Sequence, residues 1–189
     1  MRIITGRAKG LKLKTPAGFE TRPTSDRVKE SLFSVLNGIL NFSEVENVLD
    51  IFAGTGALGL ESLSRGAKSA FFVDSATGNL ISENVRRAKF EDSAKIFRGD
   101  FEKILIKLSQ KNLQFDLIFS DPPYHKNFSQ RTLELAAELN LLSEFGLLIL
   151  EIGADEILSP PQNLRQVRKI TYGKTTAIEI FELSRGETK

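Results

Sequence analysis

Phe115-Asp116-Leu117-Ile118-Phe119-Ser120-Asp121-Pro122-Pro123-Tyr124 is the stretch from which the rest of the chain is read. Its first half is a short apolar run, the pattern of a buried strand. The run then meets an acid, two prolines and an aromatic ring. Neither proline has an N–H to give to a sheet ladder, so the strand stops there. The prolines also stiffen the backbone, which fixes the Asp121 carboxylate and the carbonyl oxygens that follow it. Tyr124 adds a flat apolar face beside those acceptors. Acceptors next to a stacking ring suit a planar substrate with an exposed amino group. The plainer reading is a strand ending in a rigid turn with a solvated acid.

Outward from this stretch, strand and helix patterns alternate. Val48–Phe52 reads as a strand, Ala53–Gly56 as a small-residue turn, and Ala57–Leu63 as the start of a helix that Gly66 caps. Ser69–Val73 is a second strand that ends at Asp74. A helix follows through Ile81, Val85 and Ala88. Ala94–Phe97 is a third strand, with Asp100 beyond it, and Phe101–Leu108 is helical by spacing. Asp116–Phe119 is the fourth strand, Leu133–Leu142 a helix, and Leu147–Ile152 the fifth strand. After Pro160-Pro161 two further strands, Val167–Thr171 and Ala177–Leu183, flank Tyr172-Gly173-Lys174 as a hairpin. Alternation of this kind predicts an α/β fold whose parallel sheet is covered on both faces and finished by an antiparallel hairpin.

The first 42 residues read differently. Arg2–Thr5 and Leu11–Lys14 alternate as two short strands around Gly6 and Gly10. Thr24, Ser25 and Asp26 suit a helix start, and Val28, Leu32, Val35, Leu36 and Ile39 make one apolar stripe. Net charge is +2 over 189 residues, yet residues 1–31 alone carry +5 and the remainder −3. Such a basic end fits a polyanion contact, or simply a solvated hairpin. Arg2, Arg7, Lys9, Lys12, Lys14, Arg22 and Arg27 are the candidate cations for such a contact. The absence of cysteine excludes disulfides and thiolate metal sites, and a single histidine, His125, excludes a histidine-rich one. No metal is expected. Neither a signal peptide nor a run of membrane-spanning length is read, so the expectation is a soluble cytoplasmic protein.

In such sheets ligands bind outside the carboxyl ends of the strands. Four features fall there: Asp50–Gly56 with Gly54 and Gly56, Asp74, Asp100-Phe101, and Asp121–Tyr124. Glycines permit a tight turn and close approach to a ligand. An acid after the second strand can accept ribose hydroxyls. Asp100 can accept an amino group, and Phe101 can cover an adenine. Each alone is equally a loop acid. Gly59 is read as arriving too early for a pyrophosphate-binding fingerprint, which puts a nicotinamide dehydrogenase last.

As a set, these features resemble a class I S-adenosylmethionine-dependent methyltransferase, and Asp121-Pro122-Pro123-Tyr124 resembles the motif of enzymes that methylate exocyclic or amide nitrogens. Met1–Gly6, Thr21–Arg27, Asp50–Glu61 and Asp116–Tyr124 narrow the likeness to the bacterial 16S rRNA (guanine-N2)-methyltransferase family, and Tyr172–Thr175 fits its closing hairpin. The resemblance covers essentially the whole chain. It implies a Rossmann-like, mainly parallel seven-stranded sheet ending in an antiparallel hairpin. It implies one methyltransferase domain over 1–189: a basic hairpin-and-helix extension at 1–42 and a catalytic core at 43–189. The implied cofactor is S-adenosyl-L-methionine, held by Asp50, Phe52, Gly54, Gly56, Asp74, Asp100 and Phe101, although Phe52 also reads as packing. The implied substrate is a guanine of 16S rRNA or the 30S subunit, met by a monomer with no membrane partner. Asp121 and the Pro122 carbonyl would hold the amino group and Tyr124 would stack on the base, with His125 on the rim. The sequence departs from the family at Ala76, where a second acid is usual, and Ser75–Gly78 is short, which puts the next helix start in question. Adenine-N6 methylation of DNA, glutamine-N5 methylation of protein, and a non-catalytic RNA-binding module are the alternatives.

Overall fold

The computed structural model describes residues 1–16 and 23–184, with the side chains of the first helix from Asp26 onward. Thr21 and Arg22 therefore lie outside the described residues. The chain divides into two compact units, Met1–Gly99 and Asp100–Lys189.

The first unit holds helix α1 (Pro23–Asn37), strand β1 (Asn47–Ile51), helix α2 (Ala57–Arg65), strand β2 (Ser69–Asp74), helix α3 (Gly78–Ala88) and strand β3 (Ala94–Arg98). The strands pair in parallel in the order β3-β2-β1, with Leu49 opposite Phe71. Val48, Leu49, Ile51, Phe71, Phe72 and Val73 are all buried. Apart from Asp50 in β1, these runs are apolar because both faces of a parallel sheet are covered. Burying each such side chain contributes roughly 1.5–3 kcal/mol. Pro23 opens α1, where a missing N–H costs nothing. The helix ends at Asn37, so the expected stripe loses Ile39, which is 50% exposed.

The two N-terminal strands expected from the sequence reduce to one antiparallel bridge, Arg2 to Lys12. Around it the Ile3 N–H donates to the Leu11 carbonyl at 3.0 Å, and Leu13 N–H to Met1 at 3.1 Å. The ladder stops because Ile4 and Thr5 give their N–H groups to the Glu61 carboxylate instead, at 2.7 and 3.1 Å.

The second unit holds α4 (Phe101–Ser109), β4 (Phe115–Ser120), α5 (Phe128–Glu138), β5 (Leu142–Gly153), β6 (Leu164–Tyr172) and β7 (Thr176–Leu183). β4 and β5 are parallel, while β7 is antiparallel to both β5 and β6. The seven strands belong to one mostly parallel sheet with an antiparallel end hairpin. The fifth helix differs from the expected Leu133–Leu142. It starts at Phe128, because its polar first turn gives no apolar signal, and it stops before Asn140, whose φ of 49° is left-handed. Leu142 accordingly opens β5, which runs longer than the expected Leu147–Ile152. Among the described residues no helix is long and apolar enough to cross a membrane.

Candidate active site and RNA-facing arm

At the carboxyl end of β1 the chain turns through three left-handed residues: Phe52 (φ 59°), Gly54 (φ 56°) and Gly56 (φ 77°). For Phe52 this is a strained conformation, of the kind that clusters at functional turns. A Cβ on Gly54 would meet only the Phe52 carbonyl, at 3.9 Å, so the backbone there is open to a ligand. Gly56 N–H closes the turn on the Ala53 carbonyl at 2.7 Å.

Asp74, at the end of β2, holds this turn. Its Oδ2 accepts the Gly54 N–H at 2.9 Å, and its Oδ1 accepts Ala76 and Thr77 N–H, both at 2.8 Å. Burial alone would raise its pKa, but these backbone donors outweigh burial and hold the carboxyl below the usual range. The short Ser75–Gly78 stretch is thus folded around Asp74, and α3 starts at Gly78 without a side-chain cap.

Asp50 is 2% exposed and its Oδ2 accepts the Gly59 N–H at 2.9 Å. It serves α2 from the preceding strand, where the N-cap residue Gly56 has no side chain to offer. Burial, with a smaller push from Asp74, moves its pKa up to about 7 despite the Gly59 bond. The glycine reading needs correction. Gly54, Gly56 and Gly59 do keep the Gly-x-Gly-x-x-Gly spacing, so glycine spacing does not count against a dinucleotide. Gly59 is a packing glycine: a Cβ there would come within 2.4 Å of the Phe72 ring.

The N-terminal arm is fastened to α2 and α3. Glu61 is fully buried and accepts, besides Ile4 and Thr5, the Arg65 Nε–H at 2.9 Å and Lys29 Nζ–H at 3.4 Å. Lys29 also donates to the Arg2 carbonyl at 2.6 Å. Ser64 accepts Ala8 N–H at 3.0 Å and donates to the Thr5 carbonyl at 2.5 Å. Asn84 ties Lys14 to the glycine turn, accepting Lys14 N–H at 2.8 Å and donating to the Thr55 carbonyl at 2.9 Å. Lys29, one of the basic charges counted at this end, is 3% exposed and so faces no polyanion. Burial pulls its pKa down, and the Glu61 charge opposes that pull. Arg2, Lys9, Lys12 and Arg27 are exposed. Arg7 is exposed too and lies over the Phe90 ring at 4.9 Å, while Lys14 pairs with Glu83.

In the second unit Asp100 is exposed and caps α4, its Oδ1 accepting Lys103 N–H at 3.1 Å. Phe101 is buried and meets the Phe128 ring edge-on at 5.8 Å. Asp121 is exposed and Pro122 buried. The Tyr124 hydroxyl donates to Glu151 Oε1 at 2.7 Å and lies 3.1 Å from Thr176 Oγ1. Burial raises the Tyr124 pKa well above that of a free phenol, and burial likewise raises Glu151, against the Tyr124 bond. The ring is therefore pinned through its tip by β5 and β7. His125 is exposed, with a left-handed φ of 59° and its N–H on Glu156 Oε1 at 2.8 Å.

Sequence reasoning missed Glu61, Asn84, Glu151 and Thr176. One signal was available for Glu61: it sits on the apolar face of α2 with Ala57, Leu60 and Ser64. For Glu151 the only signal was an acid at the end of an otherwise apolar strand.

The profile of the family described as Conserved hypothetical protein 95 matches residues 1–181. Ribosomal RNA small subunit methyltransferase D of Haemophilus influenzae is 35% identical over 97% of this chain and 92% of its own. YlbH of Bacillus subtilis (strain 168) is 36% identical over 93% and 95%. Among solved structures, yhhF from Escherichia coli superposes with a TM-score of 0.83 at 31% identity, covering 97% of each chain. With a profile that runs almost from end to end and relatives of this identity along their whole length, the chain belongs to the Conserved hypothetical protein 95 family.

Proposed function

We propose that this protein transfers a methyl group from S-adenosyl-L-methionine to the exocyclic N2 of one guanine in 16S rRNA. It acts in the cytoplasm as a monomer with a single catalytic domain, residues 1–42 forming its basic extension and 43–189 its core. The observation that carries the reading is the Asp121–Tyr124 turn: an exposed carboxylate, a buried Pro122 and a ring pinned at its hydroxyl. The relatives named as small-subunit rRNA methyltransferases D point the same way.

The residues present fit the cofactor. The Gly54 backbone is open on its Cβ side, and Asp74 keeps acceptor capacity on Oδ2, which takes one donor where a carboxylate oxygen accepts two. We assign Gly54, Gly56, Phe52 and Asp74 to its binding, with Asp50 acting through Gly59, and Asp100 with Phe101 at the adenine. Bound S-adenosylmethionine supplies an electrophilic methyl on sulfonium. The chain's own part is to make the guanine amino group a nucleophile. Its lone pair is delocalised into the ring, so attack needs a more tetrahedral nitrogen. Asp121 and the Pro122 carbonyl accept its two hydrogens and favour that geometry. Positive charge then grows on nitrogen as the methyl–sulfur bond breaks, and a fixed carboxylate stabilises it most at the transition state. The N2 proton leaves to Asp121 or to water, and S-adenosyl-L-homocysteine would be the other product. Tyr124 stacks on the base, which must leave any stack of its own to arrive. Arg2, Arg7, Lys9, Lys12, Lys14, Arg22 and Arg27 meet the RNA backbone.

Labelled methyl transfer to unmodified 30S subunits, 16S rRNA, DNA and a release factor tests this directly. The expected result is label in N2-methylguanosine of rRNA alone, lost in Asp121→Ala while the cofactor still binds. Near-normal kcat in that variant refutes the assignment of Asp121.

A further inference from the structure

Immediately after the Tyr124 turn lies an open cavity of about 580 Å³ that the proposed chemistry leaves unused. His125, Asn127, Ser129, Glu156, Ile157 and Leu158 line it. Beside it α5 begins without a cap: Asn127 is left-handed and its side chain makes no capping bond. The first intrahelical bond is Arg131 N–H to the Asn127 carbonyl, which leaves the Ser129 and Gln130 N–H groups without acceptors among the described residues. Ser129 itself is 4% exposed and lines the cavity, and among the described residues its hydroxyl has no hydrogen-bond partner. A hydroxyl that lines the cavity beside open helix N–H groups makes a set of donors awaiting an acceptor.

The lining also carries ring and aliphatic surface. Ile157 is 89% exposed, and the exposed His125 imidazole lies perpendicular to the Tyr124 ring with centroids 6.4 Å apart. The walls are already fixed. Gln130 and Ser159 exchange two bonds, at 3.0 and 2.9 Å. Both Glu156 oxygens are occupied by the N–H groups of His125 and Gly153. Asp155 puts an exposed acid 3.9 Å from His125. Donors for an anion and a surface for a base, lining one cavity, match one nucleotide.

We infer that this cavity takes the nucleotide adjacent to the target guanosine, its phosphate on the Ser129 hydroxyl and the start of α5, its base against His125 and Ile157. The inference rests on the rRNA reading above and adds a second contact to the strand.

Two measurements test it. In the first, Ser129→Asp puts a negative charge where the phosphate would sit, and Ser129→Ala removes the hydroxyl. With whichever rRNA substrate the wild type methylates, KM for RNA should rise roughly tenfold or more in both, the loss of a charge-assisted bond. The KM for S-adenosylmethionine should stay within about twofold. In the second, guanosine 5′-monophosphate and guanosine are titrated into the wild type, followed by amide NMR. The monophosphate should move the Ser129 and Gln130 signals, and guanosine should not. Unchanged RNA KM in folded Ser129→Ala, or amides indifferent to the monophosphate, overturns the inference. If the wild type methylates no RNA, the proposed function fails instead, and the titration still decides on the phosphate site.

Discussion

Asp50→Asn should change how stability depends on pH. Asp50 is buried and gives one oxygen to Gly59 N–H, and its pKa rises from 3.8 to about 7 in the fold. The folded state therefore holds a proton that the unfolded chain has already released. Such a group supports the fold fully below the unfolded pKa, and that support is lost as pH climbs towards the folded one. Each pH unit in that window is worth about 1.4 kcal/mol, so raising pH from 5 to 8.5 should remove about 3 kcal/mol, levelling off past 7. Asparagine is nearly isosteric and its carbonyl can still accept from Gly59, but it does not titrate.

The assay is urea unfolding of cofactor-free wild type and Asp50→Asn across that range. The wild-type curve should fall relative to the variant by about 3 kcal/mol, nearly all of it below about pH 7.5. Other titrating groups are common to both proteins and cancel in the difference. Parallel curves would refute the reasoning, because they would mean that the buried carboxyl is no harder to ionise in the fold than in the open chain. The same variant probes the cofactor. Since Asp50 acts through Gly59, its substitution should weaken S-adenosylmethionine binding less than Asp74→Asn, which disturbs the acceptor of three backbone N–H groups.

Glu61→Ala should cost about 3–5 kcal/mol, because it strands the buried Lys29 and frees two arm N–H groups. Thermal melts measure the loss, and RNA affinity should fall although no cation facing solvent is removed. Tyr124→Phe keeps the ring but drops its anchors on Glu151 and Thr176, so kcat should fall several-fold without the stacking loss of about 1–3 kcal/mol expected for Tyr124→Ala. Equal defects in the two variants would show that the hydroxyl, and not the face, matters. RNA affinity should fall steeply with salt, and Lys12→Ala should lower the slope of log K against log salt by about 0.7–0.9 if that lysine meets a phosphate.

The strands were legible because parallel strands buried on both faces must be mainly apolar; Phe71–Val73 and Leu117–Phe119 are so without a break, and Val48–Ile51 is interrupted only by Asp50. The helices were legible where an apolar stripe reached their ends. It failed at α5, whose first turn, Phe128-Ser129-Gln130-Arg131, is mostly polar, and at Ile39, which continues the spacing of α1 after the helix has stopped. The arm's anchorage was hidden for a different reason. Lys29 and Glu61 read as surface charges, and only the packing of α1, α2 and the arm brings them to 3.4 Å in a site from which water is excluded.

The four strand-end acids look alike in the sequence, and the fold separates them. Asp50 is buried and spends an oxygen on the start of α2. Asp74 spends three acceptor positions on the glycine turn and its own loop. Asp100 caps α4. All three thus hold backbone in place, and whatever they do for a ligand is done with the capacity left over. Asp121 differs: it follows the end of β4 and leads into two prolines, opening no helix, and its side chain faces solvent. A carboxylate must be open to substrate if it is to follow charge as it develops, and Asp121 is exposed at the end of β4. The order of effects follows from that geometry. Substitution at Asp50 should be felt in stability, at Asp74 in cofactor affinity, at Asp100 mildly in both, and at Asp121 in turnover. A variant set in which Asp100 proved as indispensable to kcat as Asp121 would break the ordering and the division of labour behind it.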